Sequence, residues 1–532
     1  MTTAELHAPP ASALPPLPLP SLPLAPLPLA RPLRHNPHHA RRWSILGVLG
    51  LAQLMVVLDA TIVNIALPSA QSALAFSNDD RQWIVTAYAL AFGALLPLGG
   101  RVGDLIGRKR TLIIGLIGFA AASAIGGAAE GFGLLVTARA AQGAFGALLA
   151  PAVLSLLTTT FTDAKERAKA FGIYGAVAGG GGALGLLLGG VLTEYLNWRW
   201  CMYVNILFAV AAGIGAVTFL RNQRSEGQPA RLDVPGTITV SAGLFSVVFG
   251  FANAETHGWS SAGTWGWLVA GVVLLTSFVV IETRVAHPLI PLRVMLDRTR
   301  GGALLTVLFM GVGMFAIFLF LTYYLQQNLD FSPVLSGVAF LPMIGALSVT
   351  ATLATSLVLP RVGPRPMVPL GLVLAATGTL WLTRLGVDSS YAASVLGPLI
   401  LTGVGVGLAM APAMSSSTAG VQPDDAGVAS ALVNTAQQVG GSIGTAVLST
   451  IAANSAASYL TGNVSGPDLV AAATVHSYTT TFAWVSGLFL IGAVVCGLLL
   501  RSGPLQTDPD ATVNPGSREN GRAAGAARSR AA

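Results

Sequence analysis

The sequence predicts an all-α integral membrane protein: two six-helix bundles plus two inserted central helices, fourteen transmembrane helices in all. Composition comes first. Of 532 residues, 53% are hydrophobic and only 10% are charged, where a soluble chain carries about 25% charged residues. That leaves too little polar surface to coat a water-soluble globule. Second, the apolar residues gather into stretches of about 20, the length that crosses a bilayer core. Third, Lys and Arg collect in alternate connections, as the positive-inside bias requires of a multi-pass chain.

Taken in order, the apolar runs fall at about 44–68, 82–100, 111–129, 132–160, 168–193 and 201–220. A central pair follows at about 235–254 and 264–282. Six more lie at about 301–325, 333–358, 367–384, 391–419, 427–457 and 479–500. This divides the chain into a disordered cytoplasmic tail at 1–42, a six-helix bundle at 43–220, and a two-helix insert with cytoplasmic linkers at 221–300. A second six-helix bundle at 301–500 and a disordered cytoplasmic tail at 501–532 complete it. Repeated proline keeps the first tail from forming a continuous helix, and the last is rich in Gly, Ala and Arg.

The 29 Lys and Arg residues test the map. With both termini inside, 25 of them fall on the cytoplasmic side, Arg81, Arg199 and Arg384 fall outside, and Arg139 lies within a span. A shift of one span would reverse that bias, so orientation and even span count support each other. The net charge of +7 is thereby a topology signal, and no nucleic-acid partner is expected. Cys201 and Cys496 sit far apart in apolar runs, which excludes a disulfide framework or a cysteine metal site. His35, His38 and His39 lie in the first tail and read as solvated. Neither a metal nor a cofactor is expected.

Asp59 carries the most information. It stands deep in the first span, where an acid costs roughly 2.5–3.5 kcal/mol even on lenient insertion scales. It therefore reads as a proton carrier or a contact for a cation, against the plainer reading of a carboxyl that bonds a neighbouring helix. Arg139 is the basic residue inside a span, with Gln142 and Gly143 close behind it. A guanidinium there must find a carboxylate, carbonyls or water. It either tunes an acid's proton affinity or pins helix ends together.

The stretch Gly100-Arg101-Val102-Gly103-Asp104-Leu105-Ile106-Gly107-Arg108-Lys109-Arg110 has glycines for a tight reversal and an acid among bases. Gly100, Asp104, Gly107, Arg108 and Lys109 are its candidates for a cytoplasmic latch. In the fifth span, Gly172 precedes Gly181, Gly185, Gly189 and Gly190. Residues 181, 185 and 189 share one helix face and permit close approach of a second helix. The run Gly179–Gly182 lacks the Gly-Lys-Ser/Thr of a phosphate loop. Candidates for lining a ligand cavity are Asn64, Gln142, Met310, Met314, Phe318, Tyr324, Asn434 and Gln438. Met and Phe re-pack around varied apolar ligands, and Asn434 and Gln438 lie one turn apart. Packing between helices is the plainer role for all of them.

These motifs, in order from about Arg42 to Arg501, resemble the major facilitator superfamily, in particular its fourteen-helix drug:proton antiporter branch of the EmrB/QacA type. Gly100 to Arg110 resembles the signature Gly-x-x-x-Asp-(Arg)-x-Gly-Arg-Lys, with Leu105 where arginine is usual. Arg139, Gln142 and Gly143 match the fourth-helix motif, and Asp59 to Pro68 resembles the branch's first-helix motif. Gly172 to Gly190 matches the fifth-helix motif of antiporters, with Leu186 in place of its proline. Trp198-Arg199-Trp200, Asn205, Tyr324-Leu325-Gln326, Ser332-Pro333, Pro342 and Gly427 to Gly444 also fit. The resemblance implies a plasma-membrane antiporter that expels hydrophobic, often cationic compounds in exchange for protons by alternating access. Asp59 would be its coupling or substrate-recognising acid, Arg139 its helper, and Asp104 with Arg108 its latch. An exporter dedicated to one endogenous antibiotic or metabolite is the alternative, with an importer or a non-transporting scaffold behind it. A membrane enzyme would need a cluster of His, Asp or Glu near an interface, which the short loops lack.

Overall fold

The computed structural model describes residues 41–77, 80–161, 163–221, 233–285, 297–418, 421, 426–462 and 469–503. Residues 1–40 and 504–532 of the tails, including His35, His38 and His39, lie outside the described residues. Among these residues fourteen long helices follow one another and no strand is present. The first six are α1 (Arg42–Leu74), α2 (Arg81–Ile106), α3 (Arg108–Gly127), α4 (Phe132–Thr160), α5 (Ala164–Tyr195) and α6 (Trp200–Phe219). The central pair is α7 (Val234–His257) and α8 (Ala262–Glu282). The last six are α9 (Arg298–Tyr323), α10 (Pro333–Leu353), α11 (Pro364–Leu382), α12 (Leu396–Thr418), α13 (Ala426–Gly462) and α14 (Leu469–Leu499). Short π-helical turns prolong α9 over Tyr324–Asn328 and α10 over Ala354–Val358, and another opens α12 over Tyr391–Val395.

Helices are the expected outcome, because hydrocarbon offers backbone groups no partner and a helix satisfies them within its own segment. Thirteen of the fourteen are long and apolar enough to cross a membrane. The exception is α13, whose Asn434, Gln437, Gln438, Ser442, Thr445 and Ser449 lower its mean hydropathy. It tolerates them because it is walled by other helices, packing on α2, α7, α9 and α14. At the starts of α7 to α10, side chains cap the free N–H groups, whereas α1 to α4 and α6 begin without such a cap. Ser332 accepts from the Leu335 N–H at 3.3 Å ahead of Pro333. Asp297 accepts from those of Thr299 and Arg300 at 3.0 and 3.1 Å.

One reversal recurs in both halves. α2 passes to α3 through the single residue Gly107 (φ 94°), and the short turn after α10 passes to α11 through Gly363 (φ 76°, ψ 176°). Only glycine adopts this backbone readily, and any other residue there costs of order 1–3 kcal/mol. A Cβ on Gly363 would also stand 2.0 Å from the Gly503 carbonyl oxygen, whereas Gly107 has open space around it. Gly363→Ala is therefore expected to lower thermal stability in detergent more than Gly107→Ala does. Equal melting temperatures for the two variants would refute the role assigned to the Gly503 contact.

Arg41, Gly107, Leu220, Arg298, Gly363 and Arg501 all mark one end of the bundle, the termini end, where the described residues begin at Arg41 and finish at Gly503. Arg41 bonds the Thr218 carbonyl of α6, and Arg298 bonds the Leu498 carbonyl of α14. Within the first six helices, α1 packs on α5 and α6, α2 on α4, and α3 on α4 and α6. α7 and α8 pack on each other, and α7 lies along the seam where α2 meets α13. Leu90, Val248 and Val439 join there. α8 turns Val269, Val272, Val273, Val279 and Val280 outward, an apolar face suited to lipid.

Two cores form. One lies within the first six helices toward the termini end, built from Ile45–Val56, Leu112–Phe119, Leu149–Phe161 and Ala209–Leu220. The other unites both halves toward the opposite end, where Ile62–Ala70 and Leu186 meet Phe320–Leu325 and Phe340. Hydrogen bonds between described residues tie the halves at this opposite end. Tyr323 Oη donates to Gln71 Oε1 at 2.7 Å, Gln326 Nε2 to the Ile65 carbonyl at 3.1 Å, and the Val334 N–H to Glu194 Oε2 at 3.0 Å. The Arg81 guanidinium, only 8% exposed, stacks on Tyr323 at 4.2 Å from the ring centre. The bundle is thus closed at the end away from its termini.

Candidate functional site

Asp59 is completely buried in α1, and Arg139 of α4 is 1% exposed beside it. Each polar group in an apolar helix must find a partner or forfeit its hydration, and here the partners converge from five helices. Arg139 Nη1 donates to Asp59 Oδ2 at 2.6 Å and to Gln142 Oε1 at 2.8 Å. Arg139 Nε donates to the Ile84 carbonyl of α2 at 3.1 Å. The second carboxylate oxygen, Asp59 Oδ1, accepts from Gln142 Nε2 at 3.0 Å and from Asn205 Nδ2 of α6 at 2.7 Å. Gln142 Nε2 also donates to Ser123 Oγ of α3 at 2.7 Å. Tyr88 of α2 lays its ring 4.4 Å below the guanidinium.

The arrangement is a carboxylate held by three donors, one of them cationic. It is nearly saturated. Two buried oxygens in it lack a partner, Tyr88 Oη and Asn205 Oδ1, so the Asn205 amide and the phenol retain capacity for a new bond. Sequence reasoning placed Asp59, Arg139 and Gln142 within spans but did not pair them. It noted Asn205 only as a motif match and passed over Ser123 and Tyr88. The available signal was the lone amide in the run Cys201-Met202-Tyr203-Val204-Asn205-Ile206-Leu207, since buried amides are hydrogen-bonded.

Asn64, one turn further along α1, bonds back to its own helix at the Ala60 carbonyl, 3.1 Å. The α5 glycines fall on this same stretch of α1. A Cβ on Gly181 would meet Val57 at 3.2 Å, one on Gly185 would meet Thr61 Oγ1 at 2.0 Å, and one on Gly189 would meet Ile62 at 2.9 Å. Gly190 turns the other way, and its Cβ would meet Pro333 O and Val334 Cα of α10 at 2.7 Å. α5 is a continuous helix over Ala164–Tyr195. It therefore touches the acid's helix on one side and the second half on the other. The surroundings of Gly172 lie outside the described residues.

A side chain at Gly190 would wedge the two halves apart at the closed end. Overpacking typically costs about 1–3 kcal/mol, enough to shift a two-state balance about fivefold at the low end. Gly190→Ala should accordingly raise the maleimide labelling rate of a cysteine placed at Gln71, against a quiet background because Cys201 and Cys496 are both buried. An unchanged rate would mean that this contact does not hold the end shut.

At the termini end, Lys109 Nζ donates to the Val217 carbonyl at 3.2 Å and to that of Leu220, and Arg108 Nη1 reaches the Ser155 carbonyl at 3.5 Å. Lys109 thus sits at the C-terminus of α6, where the dipole favours it, and the partners of both cations belong to the first half. Gly100 faces Pro151 of α4. The side-chain surroundings of Asp104 lie outside the described residues.

The cavity-lining candidates separate. Met310 is fully buried within the core, and Tyr324 is buried with its Oη donating to the Gly386 carbonyl at 2.9 Å. Phe318 is half-buried against Phe340, and Met314 is half-buried on α9. Asn434 and Gln438 are half-buried on α13, with Gln438 Cβ placed against Gly93 of α2 at the seam between halves. Among the described residues no group of His, Cys, Asp and Glu is arranged to hold a metal.

A helical bundle with a buried, hydrogen-bonded ion pair inside it, closed at one end, is the build of a membrane transporter. Residues 49–445 match the family model of the Major Facilitator Superfamily, and the chain belongs to that superfamily. It is 49% identical over 464 residues to the puromycin resistance protein pur8 of Streptomyces alboniger, covering 87% of this chain and 92% of that one. The cephamycin export protein CmcT of Amycolatopsis lactamdurans is 38% identical, covering 75% and 83%. The lincomycin resistance protein of Streptomyces lincolnensis is 34% identical, covering 76% and 83%. Among solved structures, an auto-inhibited peptide transporter of the POT family superposes with a TM-score of 0.64 at 14% identity, covering 88% and 98%. A bacterial homologue of the lysosomal transporter Spinster gives 0.59 at 16% identity, covering 86% and 97%. The fold and superfamily expected from the motifs agree with these findings.

Proposed function

We propose that this chain is a proton-coupled antiporter that exports hydrophobic, often cationic antibiotics across the plasma membrane by alternating access, with both termini in the cytoplasm. The observation that carries the reading is the closure of Asp59 by Arg139, Gln142 and Asn205. An ionised carboxylate only accepts hydrogen bonds, but a protonated one must also donate. A proton arriving at Asp59 therefore expels one of the three donors and uncouples the guanidinium from its counter-charge. Asn205 Oδ1, which has no partner, can turn to receive the new O–H.

The movement has a route outward. α1 lies against the Gly181–Gly189 face of α5, and Gly190 of the same helix lies against α10 of the second half. A change at Asp59 can thus bias the contacts that hold the far end closed. In this cycle Arg108 and Lys109 secure the first half at the cytoplasmic end, and Asn434 and Gln438 face substrate at the seam. The two six-helix bundles, 43–220 and 301–500, move against each other, and the insert at 221–300 rides along the seam.

Relatives named for one antibiotic each (puromycin, cephamycin, lincomycin) favour a second reading, an exporter dedicated to a single compound. One experiment addresses both. Acid-loaded inverted vesicles containing the chain should release protons when puromycin or another antibiotic is added. Release with many compounds supports broad export, and release with one supports the dedicated reading. Silence across the panel, with the protein shown to be folded and inserted, would defeat proton-coupled drug export.

A further inference from the structure

We propose that the termini end of the second half holds the headgroup of an anionic phospholipid. A cavity of about 310 Å³ opens there, lined by Arg298 of α9, Arg365 of α11, and Leu498, Leu499, Leu500, Arg501 and Ser502 at the end of α14. Three guanidinium groups from three different helix ends thus converge on one space. Each spends little of its donor capacity on protein. Arg298 Nη2 donates to the Leu498 carbonyl at 3.0 Å, and Arg365 Nη1 donates to Ser502 Oγ. Arg501 Nη2 stands 3.7 Å from Asp297 Oδ2.

Asp297 is the one carboxylate paired with these arginines among the described residues, and its Oδ1 is already engaged in capping α9. A guanidinium carries five N–H donors in a planar fork, a shape that matches the paired oxygens of a phosphodiester. The site therefore presents excess positive charge and many unfilled donors toward an anion with oxygen acceptors.

The walls distinguish a lipid from a soluble anion. Leu498, Val494, Ile491 and Leu490 are 67%, 64%, 55% and 46% exposed, and positions 491, 494 and 498 share one face of α14. That apolar track runs from the arginine cavity toward the middle of the helix, where acyl chains would lie. Soluble phosphate would use the arginines and leave the track idle. The position also fits the source, since the cytoplasmic leaflet supplies anionic lipids and this is the end where the basic residues gather. Basic residues at that end are expected from topology alone. Topology does not require three of them, from three helices, to surround a cavity beside a lipid-facing stripe.

The test uses the purified full chain in an uncharged detergent, with native mass spectrometry and thermal unfolding as readouts. Phosphatidylglycerol should be retained and should raise the unfolding temperature, while phosphatidylcholine of the same chains and inorganic phosphate should do neither. Arg298→Gln with Arg365→Gln should weaken phosphatidylglycerol retention by on the order of tenfold and shrink the lipid-induced rise in unfolding temperature, measured against each protein's own lipid-free value. Should that pair not fold, Arg365→Gln alone carries the test, since among the described residues its guanidinium bonds only the Ser502 side chain. Equal retention of both lipids, or equal retention by wild type and variant, overturns the proposal. Inorganic phosphate reproducing the stabilisation overturns it in favour of a soluble anion.

Discussion

Asp59→Asn is expected to reduce substrate-driven proton release to below about a tenth of the wild-type rate, a loss of at least about 1.4 kcal/mol in the coupled step, while the protein stays folded. Asparagine has nearly the shape of aspartate but offers one acceptor oxygen and one NH₂ donor. The carbonyl can keep the Arg139 bond now made by Asp59 Oδ2 at 2.6 Å. The NH₂ group then faces Gln142 and Asn205, and the Asn205 oxygen that lacks a partner is placed to accept from it after an amide turn. The variant is therefore a fixed copy of the protonated carboxyl: Arg139 keeps its bonds to the Gln142 and Ile84 oxygens but loses its counter-charge, so the fold is weakened, and the side chain cannot exchange its proton. Proton release from acid-loaded inverted vesicles measures the coupling. Ligand-dependent quenching of tryptophan fluorescence separates lost coupling from lost binding. Undiminished release by the variant would remove Asp59 from the mechanism.

The same site shows where the sequence was legible. Asp59, Arg139 and Gln142 stood out because each breaks an apolar run, and the energetic cost of a buried polar group is a local property of the chain. Their pairing was not legible, because Asp59 and Arg139 are 80 residues apart and meet only through the packing of α1 on α4. Asn205 lies 146 residues from Asp59 and was hidden for the same reason. Spacing put Gly181, Gly185 and Gly189 on one face of α5, but nothing in it says that the face meets the acid's own helix. Met310 illustrates the converse. Its residue type suits a ligand cavity, yet its register on α9 turns it into the core.

Helix ends followed the same division. Hydropathy located α4 at 132–160, as observed, because charged or glycine-rich stretches interrupt the run at both sides. It began the last span at about 479, whereas α14 starts at Leu469. The added turns run from Leu469 through Ala473 and Val475 to Ser477 and Tyr478, and these last two are buried against the second half, so the polar residues that interrupted the hydropathy run lie inside the bundle. α13 was read as an apolar run at about 427–457, and the structure shows why it alone of the fourteen long helices described falls short of the apolarity of a span: a helix walled by others is released from facing lipid.

Arg139→Gln is the second large effect, and it strikes stability before transport. Removing the guanidinium leaves Asp59 charged, fully buried and held only by two neutral amides, Gln142 and Asn205. Breaking a buried pair by deleting one partner costs about 3–5 kcal/mol, most of it from the charge left behind. The variant should therefore unfold at lower temperature and lower denaturant than wild type, and its transport should fall with its folded fraction. Neutralising the remaining charge should reverse much of this. Asp59→Asn combined with Arg139→Gln removes both charges and keeps side chains that can bond each other. The double variant should be more stable than Arg139→Gln alone by about 1–3 kcal/mol, the coupling expected of residues in direct contact. It should remain as inactive in proton release as Asp59→Asn. Recovery of stability without recovery of coupling would separate the two functions of the pair, a structural pin and a proton-responsive charge. If the two destabilisations simply added, the carboxylate would have found another counter-charge in the single variant, and Arg139 would not be the group that holds it.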